Sequence, residues 1–231
     1  MSGARHGRGG APGTRFVEAR PRRWAPGTLL RVSLRDNGIE LGVTPDGSRL
    51  HHPLLLPNQP TRVGIVGLAD LTQVLALRLL DASCGLTVLT GEPDRWRELL
   101  GRVQGATFEV VSQVSQWPPD GSTAPWALIA DSDQPPPPGF GRSPWSAVVH
   151  APNQMPQGSA WWQSAQYLIT GPEQAPSVLN LRPRLAQDVV AGLQPGQLIS
   201  VEPNTATVFT PSLTSTEERF LRGADVGPGG R

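Results

Sequence analysis

The sequence predicts an α/β protein of Rossmann-like type, with a doubly wound, mainly parallel sheet preceded by a small antiparallel β-unit. An apolar, β-branched run at residues 63–66 is followed by apolar residues near helical spacing over 71–80 and by a second apolar run at 86–89. Strand, helix and strand within about 30 residues form a βαβ unit, which implies two parallel strands beneath a crossover helix.

The other elements follow from periodicity, turns and caps. Asp36, Asn37 and Gly38 indicate a hairpin between strands at 28–35 and 39–43. Further strands are predicted at 107–111, 126–130, 145–150 and 167–170, with a terminal hairpin of strands at 197–201 and 205–210. Helices are predicted at 92–100 and 159–165, in two pieces within 176–193, and from 214 to 223 after a capping box.

Length and charge divide the chain. The 231 residues suffice for one large domain. Residues 1–23 hold six arginines and one acid, a charge of +5, whereas residues 24–231 hold fourteen arginines and eighteen acids, a charge of −4. We therefore expect a disordered basic tail at 1–23, a small β-unit at 24–58, a Rossmann-like domain at 59–223 and a disordered end at 224–231.

Composition excludes several kinds of chemistry. All 20 basic residues are arginine, so the sequence has no lysine for a Walker A motif, a Schiff base or a general base. A single cysteine, Cys84, excludes an internal disulfide and a cysteine metal cluster, and we expect it to be buried. No apolar run approaches the ~18 residues of a membrane span, so the sequence predicts a cytoplasmic protein.

The turn after the first strand of the βαβ unit carries an altered dinucleotide motif. The three glycine positions of G-x-G-x-x-G hold Gly67, Ala69 and Thr72. Ala69 places a methyl where a phosphate must approach, and Asp70 adds negative charge. We therefore predict no bound cofactor. The alternative is a degenerate Rossmann nucleotide-binding protein or an NAD(P)-dependent oxidoreductase that uses these three positions.

Two pairs of residues are candidate metal ligands, Asp131 with Asp133 and His51 with His52. Asp131 and Asp133 follow a predicted strand, where open α/β sheets place ligands, so a divalent cation with a phosphorylated substrate is one interpretation. The prolines that follow favour an extended loop instead. His51 and His52 are adjacent, point to opposite sides of a strand and so do not chelate one ion. We predict no metal site and no catalytic residue.

A partner-binding surface is predicted around residues 155–162. Trp161 and Trp162 are neighbours on a short helix, so we expect one ring to pack inward and the other to be exposed beside Met155. The alternative is that both rings are partly buried.

Residues 61–221 resemble the cytosolic domain of the EccE component of actinobacterial type VII (ESX-like) secretion systems. The resemblance rests on residues 60–67, 86–96, 144–150, 158–162 and 210–217. It implies a non-catalytic, accessory subunit that contacts other subunits of a membrane secretion complex and lies peripherally at the inner face of the cell membrane. The chain departs from the family because it lacks N-terminal transmembrane helices. We expect no enzyme and no nucleic-acid partner, with weak affinity of the basic tail for anionic lipid as an alternative to a passive tail.

Overall fold

The computed structural model describes residues 38–222, apart from 104, 120–124, 138, 183–184 and 186–187. The predicted tail, the predicted strand at 28–35, Pro183, at which the two predicted helical pieces within 176–193 are divided, and the predicted end at 224–231 lie outside the described residues. The strands are β1 Ile39–Val43, β2 Arg49–His52, β3 Thr61–Val66, β4 Gly85–Thr90, β5 Phe108–Val111, β6 Trp126–Asp131, β7 Ser146–His150, β8 Tyr167–Thr170, β9 Leu198–Val201 and β10 Ala206–Pro211. The helices are α1 Ala69–Asp81, α2 Pro93–Gly101, α3 Ala160–Gln163, α4 Ala175–Leu179, α5 Asp188–Ala191 and α6 Ser215–Leu221.

The described strands form one ten-stranded sheet in the order β2-β1-β10-β9-β8-β3-β7-β6-β4-β5. The six strands from β8 to β5 in this order pair in parallel, and the other four pair antiparallel. The predicted fold class is confirmed, including the small antiparallel unit, which is the β1–β2 hairpin.

The chain winds in both directions from β3. Helix α1 leads from β3 past β7 and β6 to β4, whereas α3 leads from β7 past β3 to β8 on the other side. In open α/β sheets such a reversal leaves a crevice outside the carboxyl ends of the strands, which is where ligands bind. The topology therefore places a crevice above β3 and β7.

Each face of the sheet carries its own hydrophobic core. Helices α1 and α2 cover one face, and every residue of α1 from Leu71 to Leu80 is buried. Cys84 belongs to this core, as predicted. Helices α3 and α4 cover the other face, with Met155, Trp161 and Trp162 in the second core. Burial on both faces explains the continuous apolar runs of the central strands.

The last helix is fixed by its cap and by a buried ion pair. Thr214 and Glu217 form the predicted capping box of α6. The Glu217 carboxylate also accepts from Arg78 of α1, with Nε to Oε1 at 2.7 Å and Nη2 to Oε2 at 2.9 Å. Because both side chains are buried, this bidentate pair holds α6 against α1. Among the helices that the structure describes, none combines the length and apolar character needed to cross a membrane.

Candidate functional site at the carboxyl edge of the sheet

A cavity of about 410 Å³ lies at the carboxyl edge, where the topology places the crevice. Its walls come from the β3–α1 turn, the ends of β4 and β6, the start of α2 and the loop after β7. The polar lining residues are Thr72, Thr90, Glu92, Arg95, Asp131, Ser132, Asp133 and Asn153.

The β3–α1 turn has only two residues between strand and helix, Gly67 and Leu68. Gly67 has φ +70°, a conformation that glycine adopts without steric cost, and its N–H donates to the Pro152 carbonyl at 3.0 Å. Ala69 and Thr72 face the cavity. The altered dinucleotide motif thus lies at the crevice, but its two-residue turn is shorter than the loop of a Walker A motif, which has four residues between the glycines of G-x-x-x-x-G.

The charges around the cavity are mainly negative. Glu92, Asp131 and Asp133 line it, and Arg95 is the one cationic residue among the described lining residues. Arg95 Nη1 lies 3.9 Å from a Glu92 oxygen. With the Gln73 amide oriented so that its oxygen faces Arg95, that oxygen accepts from Nη2 and Nε at 2.9 and 2.8 Å. Arg95 is therefore held toward α1 at the wall of the cavity.

Asp131 is fixed by two hydrogen bonds to the same oxygen. Trp96 Nε1 donates to Oδ2 at 2.6 Å, and Thr90 Oγ1 donates to Oδ2 at 3.3 Å. Both bonds use Oδ2, and no hydrogen bond to Oδ1 is made by the residues that the structure describes. Asp131 and Asp133 therefore lie where the sequence places them, but no group of three or more acidic, histidine or cysteine residues in the described part of the chain is arranged to hold a metal ion by itself.

His150, at the end of β7, ties the acidic loop after β6 to α3. Its Nδ1 accepts from Trp162 Nε1 at 2.8 Å, so the proton lies on Nε2, which donates to the Ser132 carbonyl at 2.9 Å. Burial lowers the pKa of His150 to about 4, although the Ser132 carbonyl and the charge of Asp133 oppose that shift. His150 is therefore a neutral support of the cavity wall and not a metal ligand.

The expected exposure of one tryptophan at residues 155–162 is wrong. Trp161 and Trp162 are 8% and 0% exposed, and Met155 is 9% exposed. Helix α3 packs on the sheet, and Gly64 of β3 makes room for the Trp162 ring: a Cβ at Gly64 would lie 2.7 Å from it. The Trp161 ring packs edge-on against His150, with centroids 5.5 Å apart. These residues support the cavity wall from behind.

Several lining residues were not singled out from the sequence. Arg95 and its partner Gln73 on α1 carry no motif, because their contact depends on tertiary packing. Thr90 and Asn153 were likewise missed. The signal that was available for Trp162 is Gly64, because a glycine inside an apolar strand often marks close approach of another group.

No protein-family model and no curated protein matches the sequence. Among solved structures, the cytoplasmic domain of the type VII secretion ATPase EccC from Thermomonospora curvata is similar with a TM-score of 0.50 and 14% identity. The match covers 85% of this chain and 31% of that one, so this chain spans under a third of the EccC structure. The genome packaging NTPase B204 from Sulfolobus turreted icosahedral virus 2, solved in complex with AMPPCP, has a TM-score of 0.46, 11% identity and coverage of 68% and 99%.

These similarities correct one prediction. We expect from the sequence that the chain is not an enzyme, whereas the similar EccC structure is that of a secretion ATPase. The prediction of a non-enzyme is therefore contradicted. At 14% identity the similarity to EccC establishes a shared α/β fold and nothing further.

Proposed function

We propose that this chain is a subunit of a type VII-like secretion apparatus and works through contacts with other subunits at the cytoplasmic face of the membrane. The observation that supports this most directly is where the EccE-like stretches lie. Residues 60–67 contain β3, residues 86–96 contain most of β4 and the start of α2, and residues 144–150 contain β7. The resemblance therefore covers the centre of the sheet and part of its carboxyl edge, not only exposed loops.

The fold adds independent support. A domain of the secretion ATPase EccC has the same fold over most of this chain. The sequence resemblance and the shared fold both support the proposal.

The test is co-purification from native membranes. A tagged full-length chain is expressed in its own host, membranes are solubilised in mild detergent, and the eluate is probed for the secretion ATPase. We expect the ATPase to co-elute. A chain recovered without the ATPase, from membranes in which the ATPase itself is present and intact, would contradict the proposal.

A second candidate function is binding of a magnesium–nucleotide complex in the carboxyl-edge cavity. The observation that favours it is the position of Thr72 and Asp131 on the same cavity. In P-loop NTPases, Mg²⁺ is held by a hydroxyl at the start of the helix after the first strand and by an aspartate at the end of another strand. Thr72 lies in the first turn of α1, and Asp131 ends β6.

The phosphates would meet Arg95 and the first turn of α1. That turn leaves backbone N–H groups without intrahelical partners and carries the positive end of the helix dipole. Arg95 supplies the single cation where P-loop proteins use lysine. Without Mg²⁺, the carboxylates of Glu92, Asp131 and Asp133 repel phosphate, and so does Asp70 in the first turn of α1, so binding is expected to require the metal.

Calorimetry with ATP, with and without Mg²⁺, tests this second function. We expect saturable binding only with Mg²⁺, and at least tenfold weaker binding for Thr72→Ala and for Asp131→Asn, about 1.4 kcal/mol each. Asp46→Asn is the matched control, because Asp46 is an exposed acid in the β1–β2 turn. Release of phosphate in the same samples measures hydrolysis. Equal binding by wild type and by Asp131→Asn would rule out this use of the cavity.

A further inference from the structure

The amino edge of the sheet carries an exposed turn with a tryptophan at its end. Residues 142–145, of sequence Arg-Ser-Pro-Trp, are all exposed and lead directly into β7. The Trp145 side chain is 47% exposed, and Leu213, at 41%, is the other large hydrophobic side chain in the described part of the chain that is exposed to a similar degree. Trp145 precedes β7 and the cavity-lining residues 151–153 follow it, so this turn and the cavity lie at opposite edges of the sheet.

Trp145 has a backbone conformation that tryptophan rarely adopts. Its φ is +57°, and Ser83 is the one other non-glycine residue with positive φ that the structure describes. For a bulky residue this left-handed region is sterically unfavourable, whereas glycine adopts it freely. Such outliers persist only where the surrounding structure enforces them, and they cluster at functional sites.

The turn is held on both sides by hydrogen bonds. Trp145 N donates to the Leu56 carbonyl at 2.8 Å, and Trp126 N donates to the Trp145 carbonyl at 3.1 Å. The Ser146 hydroxyl donates to the Ser143 carbonyl. The indole is therefore presented from a fixed backbone, so that little conformational entropy is lost when a partner covers it.

The fold itself makes little use of the indole. The Trp145 side chain belongs to neither hydrophobic core, whereas Trp96 and Trp162 lie in them with hydrogen bonds from their indole N–H groups. A glycine at position 145 would keep both backbone hydrogen bonds and remove the steric conflict. The tryptophan at this position is therefore explained by something outside the described fold.

We propose that the turn at residues 142–145 is a protein-binding surface with Trp145 as its central contact. Tryptophan and arginine are the side chains most enriched among residues that dominate binding energy at interfaces. Arg142, exposed beside Trp145, has no ion-pair partner among the residues that the structure describes. The surface thus fits a partner with an apolar pocket for the indole and a carboxylate at the rim of that pocket.

The identity of the partner rests on the proposed function. The partner is another subunit of the secretion apparatus, bound at the amino edge while the carboxyl-edge cavity stays accessible. The position of the contact, in contrast, comes from the exposure and backbone conformation of Trp145.

The test uses the full-length chain and the secretion complex purified through its ATPase subunit, with binding measured by interferometry. We expect Trp145→Gly to bind at least tenfold more weakly than wild type and to melt at the same or a higher temperature, because the steric conflict is removed. Arg142→Gln is expected to weaken binding two- to fivefold, with a smaller salt dependence. Leu213→Ala, the matched exposed apolar residue near α6, is expected to change binding less than twofold.

The outcomes separate the two proposals. If wild type does not bind the complex, the proposed function fails and the named partner with it. If wild type binds and Trp145→Gly binds equally well, the proposed function stands and the interface at Trp145 is wrong. If Trp145→Gly melts at a clearly lower temperature, the indole has a structural role and the inference is overturned.

Discussion

Two tryptophans at the carboxyl edge of the parallel sheet and Trp145 at its amino edge are used in opposite ways, whereas Trp126, also at the amino edge, is half-buried and donates to Thr87 Oγ1 at 2.9 Å. At the carboxyl edge, Trp96 and Trp162 are 1% and 0% exposed, and their indole N–H groups donate to Asp131 and His150. At the amino edge, the Trp145 indole lies outside both cores and is nearly half exposed. A buried tryptophan with a satisfied N–H positions the polar residues of a cavity, whereas an exposed tryptophan on a strained backbone is available to a partner.

The two edges also differ in shape and in charge. The carboxyl edge is concave and lined by Glu92, Asp131 and Asp133, with buried support behind it. The amino edge offers an exposed cation and an exposed indole. The carboxyl edge therefore suits a small ligand bound together with a metal cation, and the amino edge suits a protein partner. The two proposed ligands would not compete for one site.

The largest effect that tests this comparison is the loss of the Trp162 ring. Trp162→Ala removes a fully buried side chain and leaves Nδ1 of His150 without its donor, so we expect a loss of about 3–5 kcal/mol in the free energy of unfolding. Trp145→Ala should change it by less than about 0.5 kcal/mol, because its side chain is largely outside the core. Urea denaturation of both variants measures the difference. Similar losses for both would show that the two edges do not differ in this way.

A smaller loss of stability is expected when a methyl group is added at Gly64, beneath the Trp162 ring. Gly64→Ala would place a Cβ 2.7 Å from the Trp162 ring and 2.8 Å from Leu168 Cδ2, which costs about 1–3 kcal/mol as overpacking. Gly91→Ala is the matched control at the same edge, because a Cβ there meets no atom within 4 Å. Thermal melts of both variants suffice. A neutral Gly64→Ala would mean that the ring does not press on β3.

The strand and helix pattern was largely predictable from the sequence, because it depends on local periodicity. The βαβ unit, the hairpin of β9 and β10 and the capping box of α6 each follow from residues close together in the chain. The predicted strand at residues 145–150 is one residue too long, because Trp145 adopts a turn conformation that apolar patterning does not reveal.

The site was less predictable, because it depends on contacts between distant residues. The place of Asp131 and Asp133 after a strand follows from the sequence, although the sequence favours a loop there and predicts no metal site. The burial of both Trp161 and Trp162 was offered only as an alternative, since it requires Gly64, about a hundred residues earlier, to lie beneath the ring. The exposure of Trp145 has no signal in periodicity, because tryptophan at the start of a strand is usually counted toward a core.

The pH dependence of the free energy of unfolding tests whether His150, at the carboxyl edge, is buried in its neutral form. The pKa of His150 is lowered from 6.5 to about 4 by burial, so the unfolded chain binds a proton at pH values where the folded chain does not. Stability from this residue is complete above pH 6.5 and is lost as the pH falls toward 4, at no more than about 1.4 kcal/mol per pH unit. Burial also lowers the pKa of His52 to about 4, so His52 contributes a similar loss of stability as the pH falls.

Denaturation midpoints between pH 5 and 7 test this prediction. His150→Gln should reduce the slope of stability against pH to about half, because one of the two buried histidines is removed. Gln keeps an amide near the Ser132 carbonyl, so the slope and not the absolute stability is the readout. An unchanged slope would mean that His150 is not buried in its neutral form and does not support the cavity wall as described.

The smallest effect is expected from the basic segment at residues 1–23, which lies outside the described residues. Its charge of +5 is opposite in sign to the acidic lining of the carboxyl-edge cavity. A stable contact between them would neutralise the carboxylates and reduce the difference in charge between the two edges. We expect no such contact, because the segment lacks apolar periodicity and charge alone contributes little at physiological salt. Deleting residues 1–23 should therefore change the melting temperature by less than about 2 °C at both low and physiological salt. A larger drop that appears at low salt and disappears at high salt would place the arginines on the acidic edge.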